Sequence, residues 1–296
     1  MKGRLAVSTD QPWTIRRLLE WTTDFLASRQ IESARTEAQL LLAHALGCPK
    51  IILYTRPDEQ PPEDQRTRFR ELVQQRVKGK PVAHLLGRKE FFSLEFEVGP
   101  DVLIPRPDTE WVVTECLKWA KPMAEPAVLD VGTGSGCLAV AVAVGHKAAA
   151  VAAVDVSAPA LAVARRNAEK HKVAGRVRFL HGDLFGPLGA EERFDFILSN
   201  PPYIPRGQIA SLAAEVRDHE PRLALDGGED GFAVIDRLLA EAPGRLKPGG
   251  RLIVEIGFDQ EAAARERFAR HAGYEVGKTI LDAGGHPRVL SARWQG

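Results

Sequence analysis

Only three cysteines, Cys48, Cys116 and Cys137, occur in the 296 residues, and none sits at a spacing that binds a metal or closes a redox pair. An odd, scattered set excludes a disulfide framework and a zinc module, and reads as reduced core thiols of an intracellular protein. Long apolar runs are missing as well. The longest uncharged stretch, residues 131–146, is broken by glycine and too short to cross a bilayer, and Met1-Lys2-Gly3-Arg4-Leu5 opens no apolar segment of leader length. Nor does one sign of charge prevail: 40 Lys and Arg against 39 Asp and Glu leave a formal charge of +1. That balance excludes the broad basic face that phosphate neutralisation demands, so no stable nucleic-acid partner and no membrane are expected. The one departure is residues 65–80, where Arg66, Arg68, Arg70, Arg76, Lys78 and Lys80 face a single acid, Glu71. It reads either as a solvated helix face or as a docking patch for an RNA-bound or acidic partner. Repeats and low-complexity tracts are absent. What remains is a soluble, cytoplasmic chain long enough for one large domain and a small one without covalent staples.

Three stretches between residues 13 and 79 keep helical spacing. They are Ile15, Leu18, Leu19, Thr22, Phe25 and Leu26; Ala34, Ala38, Leu41, Leu42 and Ala45; and Phe69, Leu72, Val73 and Val77. Gly47 with Pro49, and Gly79 with Pro81, supply stop signals. The spacing predicts a helical bundle over residues 1–81 that carries no acid, base or metal constellation and so positions something else. Over 82–104 the period shortens to two from Phe92 to Val98, Gly99-Pro100 reads as a turn, and Val102-Leu103-Ile104 as the returning strand of a hairpin linker. Thr109 or Asp108 is placed to cap a helix starting near Trp111. From Ala127 onward strand and helix alternate, with strands at 127–131, 149–155, 177–181, 194–199 and 251–255, helices after Ser157 and over 231–242, and two closing strands in the last 25 residues. The fold class is α/β, a parallel sheet with helices on both faces.

The chemistry gathers at the carboxyl ends of those strands, where open α/β sheets collect ligands. After the fourth comes Asn200-Pro201-Pro202-Tyr203. Two prolines fix two φ angles and remove two backbone donors, so the corner offers acceptors only, with the Asn200 side-chain oxygen among them. A matching ligand is an NH2 group with two hydrogens to donate, on a flat π system against which Tyr203 can stack. Such a nitrogen is a poor nucleophile because its lone pair is delocalised, and holding its hydrogens aims that lone pair. After the first strand comes Gly132-Thr133-Gly134-Ser135-Gly136. A dinucleotide fingerprint requires glycine at 137, where Cys137 stands, so the loop suits a nucleoside without a pyrophosphate. Asp155 ends the second strand, placed to accept from both ribose hydroxyls. Asp183 follows the third strand, placed to accept from an adenine amino group, with Leu184 packing on the ring. As a turn, a helix cap and a Pro-Pro breaker these residues would be unremarkable singly; their order along four strand ends is not.

Together they resemble the class I S-adenosylmethionine-dependent methyltransferases, and more closely the HemK/PrmC-type release factor glutamine methyltransferases. The likeness extends to residues 87–92 (GRKEFF), 101–110 (DVLIPRPDTE) and 220–228 (EPRLALDGG). It implies a seven-stranded Rossmann-like methyltransferase sheet with an antiparallel last strand, a substrate-docking helical domain over 1–81, a hairpin linker over 82–104 and a catalytic domain over 105–296. It implies methylation at N5 of the glutamine in the Gly-Gly-Gln loop of peptide chain release factors, with S-adenosylhomocysteine as the product. By position it places Gly132 to Gly136, Asp155, Asp183, Leu184 and Asn200 at the cofactor, and Asn200, Pro201, Pro202, Tyr203, Phe91 and Arg106 at the substrate. Three alternatives share parts of the pattern: a methyltransferase acting on a ribosomal-protein glutamine, an adenine-N6 methyltransferase of nucleic acid, and a non-catalytic S-adenosylmethionine- or RNA-binding module. No residue is assigned as proton acceptor.

Overall fold

Thr14 opens the first helix: its hydroxyl accepts from the Arg17 amide (3.3 Å) and starts α1 (Ile15–Ser28). The computed structural model describes residues 12–296, so the Met1 to Leu5 stretch, expected to open no leader-length apolar segment, lies outside the described residues. α2 (Ala34–Leu46) ends at Gly47, whose φ of +64° is the left-handed cap that glycine adopts at little cost. α3 (Ile52–Thr55), α4 (Glu63–Val77) and α5 (Val82–Leu86) complete a helical unit that ends at Leu86. Ile15, Leu26, Leu41, Leu42 and Phe69 form its core. The basic run on α4 is not one free face. Arg76 is buried and holds Glu37 of α2 through two hydrogen bonds (2.6 and 3.1 Å), while Arg66 and Arg70 both pair with Glu63.

The second unit runs from Gly87 to Gly296. It begins with an antiparallel hairpin, β1 (Arg88–Phe91) and β2 (Leu94–Glu97), and here the structure differs from the sequence expectation. The turn is Phe92-Ser93, with φ of +52° and +58°, and not Gly99-Pro100. A two-residue turn of that twist normally advertises itself as Asn-Gly or Asp-Gly, and Phe-Ser gives no such signal. The Phe92 amide donates to Glu110 Oε1 (2.8 Å), which fixes the turn from outside. Residues 102–104 form no strand; Val102 and Ile104 are buried in irregular chain instead.

α6 (Glu110–Ala120) leads to the sheet. Its strands are β3 (Ala127–Val131), β4 (Ala150–Asp155), β5 (Val177–His181), β6 (Phe194–Ser199), β7 (Leu246–Glu255), β8 (Tyr274–Val276), β9 (Ile280–Leu281) and β10 (Pro287–Trp294). They run in the order β5-β4-β3-β6-β7-β10-β8, with the two-residue β9 pairing on β10. The first five are parallel, and β10 enters antiparallel between β7 and β8. β7 starts at Leu246, five residues before the expected 251, because Leu246 pairs with Phe194 and a register shift then passes over residues 247–250 before Arg251 pairs with Phe196. α7 (Cys137–Gly145), α8 (Ala158–Lys170), α9 (Ala214–Arg217), α10 (Ala233–Glu241) and α11 (Glu261–Arg270) supply the covering helices. One face of the sheet packs against Val112 and Cys116 of α6 and Ala139 and Val140 of α7, the other against Ile235 and Leu238 of α10 and Phe268 of α11. The chain runs outward from β3 to β5 and returns to β6 beside β3. The carboxyl ends of β3 and β6 therefore flank the crevice at the point where strand order reverses. No helix among the described residues is long and apolar enough to cross a membrane.

Candidate active site

The glycine loop is folded back onto its own strand by Asp130, the penultimate residue of β3. One carboxylate oxygen accepts from the Thr133 hydroxyl (2.6 Å) and the Ala139 amide (3.1 Å). Gly132 and Gly134 have φ of +74° and +53°, and a Cβ on either would meet nothing within 4 Å, so this part of the loop presents bare backbone. Gly136 serves packing: a Cβ there would sit 3.0 Å from that of Ala164 on α8. At the end of β4, Asp155 accepts from the Gly134 amide through Oδ2 and from the Ser157 amide through Oδ1, both at 2.8 Å. Burial raises its pKa above the ordinary carboxylate value, with those amides opposing the shift. Among the described residues it joins no ion pair, and each oxygen keeps a lone pair for a hydroxyl donor.

Asp183, after β5, is held in a bidentate pair by Arg237 of α10 (2.7 and 3.2 Å). Leu184 follows with φ of +46°. A left-handed conformation costs a non-glycine residue about 1–2 kcal/mol, and here it turns a buried side chain to the edge of the crevice. Asn200, after β6, donates through Nδ2 to Thr109 Oγ1 (3.0 Å). Gly132, Thr133, Gly134, Ser135, Asp155, Asp183, Leu184, Asn200 and Pro202 thus line one cleft of about 320 Å³, with Pro105 and Leu223 among its other walls. Three aspartates, Asp101, Asp155 and Asp183, face it, and among the described residues Arg237 is the one base in its lining. A cleft of that sign suits a cationic nucleoside and repels a pyrophosphate, so the residues present fit S-adenosylmethionine. A larger hollow of about 770 Å³ at the opposite ends of the strands, lined by Ala127, Ala150, Val177 and Phe194, gathers none of the expected site residues.

Five expected site residues stand outside the cleft lining. Gly136 is the packing glycine, and Pro201 is buried. Tyr203, expected to stack on a substrate, instead donates its hydroxyl to Glu255 Oε1 (3.2 Å), and its ring packs on the core of the α10 face. Phe91, expected at the substrate, is 1 % exposed and lies edge-on to Phe96. Apolar rings of a hairpin are drawn to the core, and this one fills it. Arg106 turns to Glu220, whose other oxygen accepts from the Ile104 amide (2.9 Å). It thereby joins the 101–110 segment to the 220–228 segment and leaves Pro105 and Leu223 at the wall.

Several residues behind the 200–203 corner read in the sequence as caps, turns or strand ends and not as site residues. Gln260 donates to the Tyr203 carbonyl (2.9 Å) and accepts from the Gly257 amide (2.8 Å). A Cβ on Gly227 would lie 2.8 Å from the Pro202 carbonyl oxygen, and one on Gly231 would collide with the Tyr203 carbonyl. Those glycines let the loop after α9 lie directly against the corner. Thr109 makes no side-chain cap and bonds Asn200 instead. Glu255 is fully buried, and burial pushes its pKa up to about 7, as it does for Asp130.

Residues 17–87 match the family model described as the PrmC N-terminal domain, and residues 112–219 that described as the methyltransferase small domain. The chain is similar to the release factor glutamine methyltransferase of Rhodopirellula baltica, 46 % identical over 96 % of this chain and 97 % of that one. It is also similar to the protein of the same name from Geobacter sulfurreducens, 45 % identical over 96 % and 99 %. Among solved structures it shares its fold with the catalytic domain of hMettl16, crystallised in complex with MAT2A 3'UTR hairpin 6. The TM-score is 0.55 at 14 % identity, covering 76 % of this chain and 82 % of that one, a likeness of fold alone. With a methyltransferase unit, an amino-terminal unit of matching family and 45–46 % identity to these relatives across nearly all of both sequences, the chain belongs to the release factor glutamine methyltransferase family.

Proposed function

We propose that this chain methylates the side-chain amide nitrogen of the glutamine in the Gly-Gly-Gln loop of peptide chain release factors, as a cytoplasmic enzyme of translation termination. The observation that carries this is the direction of the Asn200 carboxamide. Its NH2 is committed to Thr109, so its oxygen is the end left for the cleft that it lines. An acceptor there suits a ligand nitrogen with hydrogens to give, and a primary amide is such a group. Gly132, Thr133, Gly134, Ser135, Asp155, Asp183 and Leu184 would hold the cofactor. S-adenosylmethionine, when bound there, supplies a sulfonium methyl group as the electrophile. Asn200 and the Pro202 corner hold the amide so that its lone pair points along one line, and a fixed near-attack arrangement is worth on the order of 7–11 kcal/mol. No covalent link to the protein is needed. The helical unit ending near residue 81 to 86 docks the body of the release factor and leaves the chemistry to the second unit.

The test is transfer of a labelled methyl group to a purified release factor, native or with the loop glutamine changed to alanine. Label on the native protein alone supports the proposal. Label on both, or on neither, refutes it.

A further inference from the structure

Gln260 stands at the head of α11, and it is 7 % exposed. The position before a helix is ordinarily taken by Ser, Thr, Asp or Asn, whose short side chains reach the free amides of the first turn. The Gln260 side chain caps nothing there. It turns the other way: Oε1 accepts from the Gly257 amide at 2.8 Å, and Nε2 donates to the Tyr203 carbonyl at 2.9 Å. A backbone amide only donates and a backbone carbonyl only accepts, so these two partners settle which end of the carboxamide is which. Gly257 is bound twice, because its carbonyl accepts from the Gln260 amide at 3.0 Å. The Gln260 carbonyl in turn accepts from the Ala264 amide at 2.8 Å, in the first turn of α11. The carboxamide is locked from both sides.

The corner that it touches needs such a hold. Pro201 and Pro202 carry no N–H, so the corner cannot knit itself together through its own amides and has to be fixed from outside. At its front, Asn200 Nδ2 reaches Thr109 Oγ1. At its rear, the Tyr203 carbonyl has Gln260. Beyond it the Ile204 backbone is bonded to another loop, its amide to the Leu225 carbonyl at 3.1 Å and its carbonyl to the Gly227 amide at 2.9 Å. Gln260 instead reaches a helix whose Ala264 and Phe268 are buried in the core beneath the sheet. Gly231 closes the remaining space, since a Cβ there would lie 2.6 Å from Nε2 and collide with the Tyr203 carbonyl. A leucine would fill the Gln260 site without the cost of burying a carboxamide, so packing alone does not account for this side chain.

We infer that Gln260 is a positioning residue for the methyl transfer: it ties the Tyr203 carbonyl to α11 and so sets where Asn200 and Pro202, which line the cleft, stand against the cofactor. Gln260 itself is not in the cleft lining, so its effect falls on turnover and not on cofactor affinity. A misplacement of about 1 Å at a reacting centre costs about a hundredfold in rate. This deepens the amide-methylation proposal and rests on it for the reaction that is measured.

The test uses the full-length enzyme with a purified release factor and labelled cofactor. Gln260→Leu keeps the bulk and removes both side-chain bonds; kcat should fall about ten- to a hundredfold while the calorimetric affinity for S-adenosylhomocysteine stays within twofold. Gln260→Glu gives a finer reading. Its carboxylic acid form offers the same donor and acceptor as the carboxamide, whereas its carboxylate has no hydrogen for the Tyr203 carbonyl. Burial raises a carboxyl pKa toward neutrality, so the kcat of Gln260→Glu relative to wild type should approach one near about pH 6 and fall to the Gln260→Leu level near about pH 9. The charged side chains on the segments around it are Asp259 and Glu261 beside it, Asp230 and Asp236 with Arg267, Arg206 before the 225–228 loop and Glu255 under Tyr203. Wild type and both variants share them, so they cancel in that ratio. Unchanged kcat in Gln260→Leu, an equal loss of cofactor affinity, or a Gln260→Glu ratio constant with pH overturns the assignment. A second measurement needs no substrate: the Ile204 and Gly227 amide protons, followed by NMR, should exchange at least tenfold faster in Gln260→Leu than in the wild type. Equal exchange overturns the hold on the corner whatever amide the wild type methylates, whereas a wild type inactive on release factors with the exchange difference intact refutes only the substrate.

Discussion

Gly231 is where the loop after α9 presses hardest on the 200–203 corner, and replacing it with alanine separates two costs that usually come together. Its φ is +86°, and an added methyl group would collide with the Tyr203 carbonyl and lie 2.6 Å from Gln260 Nε2. Gly132 has a similar φ of +74° but open space around a Cβ. For Gly132→Ala only the left-handed conformation is penalised, about 1–2 kcal/mol. For Gly231→Ala the same penalty adds to an overpacking cost of about 1–3 kcal/mol, because the obstructing atom is backbone and cannot swing aside. Urea unfolding of the full-length protein should therefore give Gly231→Ala a loss of about 2–5 kcal/mol, clearly beyond that of Gly132→Ala. Relief of the collision must move the Tyr203 carbonyl, which Gln260 holds at 2.9 Å. Turnover should then fall even at temperatures where Gly231→Ala stays folded. Equal destabilisation by the two alanines would refute the claim that this glycine exists to admit the corner.

Asn200→Ala should fold normally and lose roughly 100-fold or more in turnover, the scale of one preorganised polar contact; unchanged turnover removes Asn200 from the chemistry. Asp155→Ala should weaken binding of S-adenosylhomocysteine by about 1.5–3 kcal/mol, as for a hydrogen bond to a charged group, and calorimetry finding equal affinity would end the ribose assignment. Glu255 gives a pH signature. Burial raises its pKa from the ordinary 4.5 to about 7, so the folded protein keeps a proton that the unfolded chain releases. Its contribution is fully present below pH 4.5 and is lost as pH rises through 7, about 3 kcal/mol in all. The stability of Glu255→Gln relative to wild type should rise by an amount of that order between pH 4.5 and 8 in denaturant titrations, and a difference independent of pH would show that Glu255 ionises freely.

The parallel strands are legible because each is a short, apolar-rich segment between turn signals: residues 127–131, 177–181 and 194–199 are read with the bounds that the sheet adopts. β7 is read short because Lys247-Pro248-Gly249-Gly250 looks like a turn; those four residues indeed stay unpaired, and the strand is extended to Leu246 only because the register shift past them lets Leu246 pair with Phe194. The hairpin was expected, yet its turn was misplaced, since local residue preference favours Gly99-Pro100 and a contact with Glu110 decides for Phe92-Ser93. Tyr203 and Phe91 were given to the substrate by their type and position. Whether an aromatic ring faces a ligand or the core depends on neighbours that a linear pattern does not contain.

The same difference in kind divides the site. The glycine loop and the Asn-Pro-Pro-Tyr corner are each contiguous, so their chemistry is written locally and survives being read without a fold. What aims them is not contiguous. Thr109 comes from the turn before α6, Gly231 from the loop before α10, Glu255 from the end of β7 and Gln260 from the start of α11, and all four converge on residues 200–203. Singly, a threonine before a helix is a cap, a glycine is a turn, and a glutamate after an apolar strand is a solvated end. Only the antiparallel entry of β10 changes the last of these. With β10 paired from Val289 opposite Glu255, β7 is an interior strand to its final residue, and the glutamate there is enclosed. Burial then makes its charged form costly and pushes its pKa up to about 7, and the Tyr203 hydroxyl donates to it. The strand that closes the sheet thus encloses the carboxyl group on which the Tyr203 hydroxyl of the 200–203 corner is anchored.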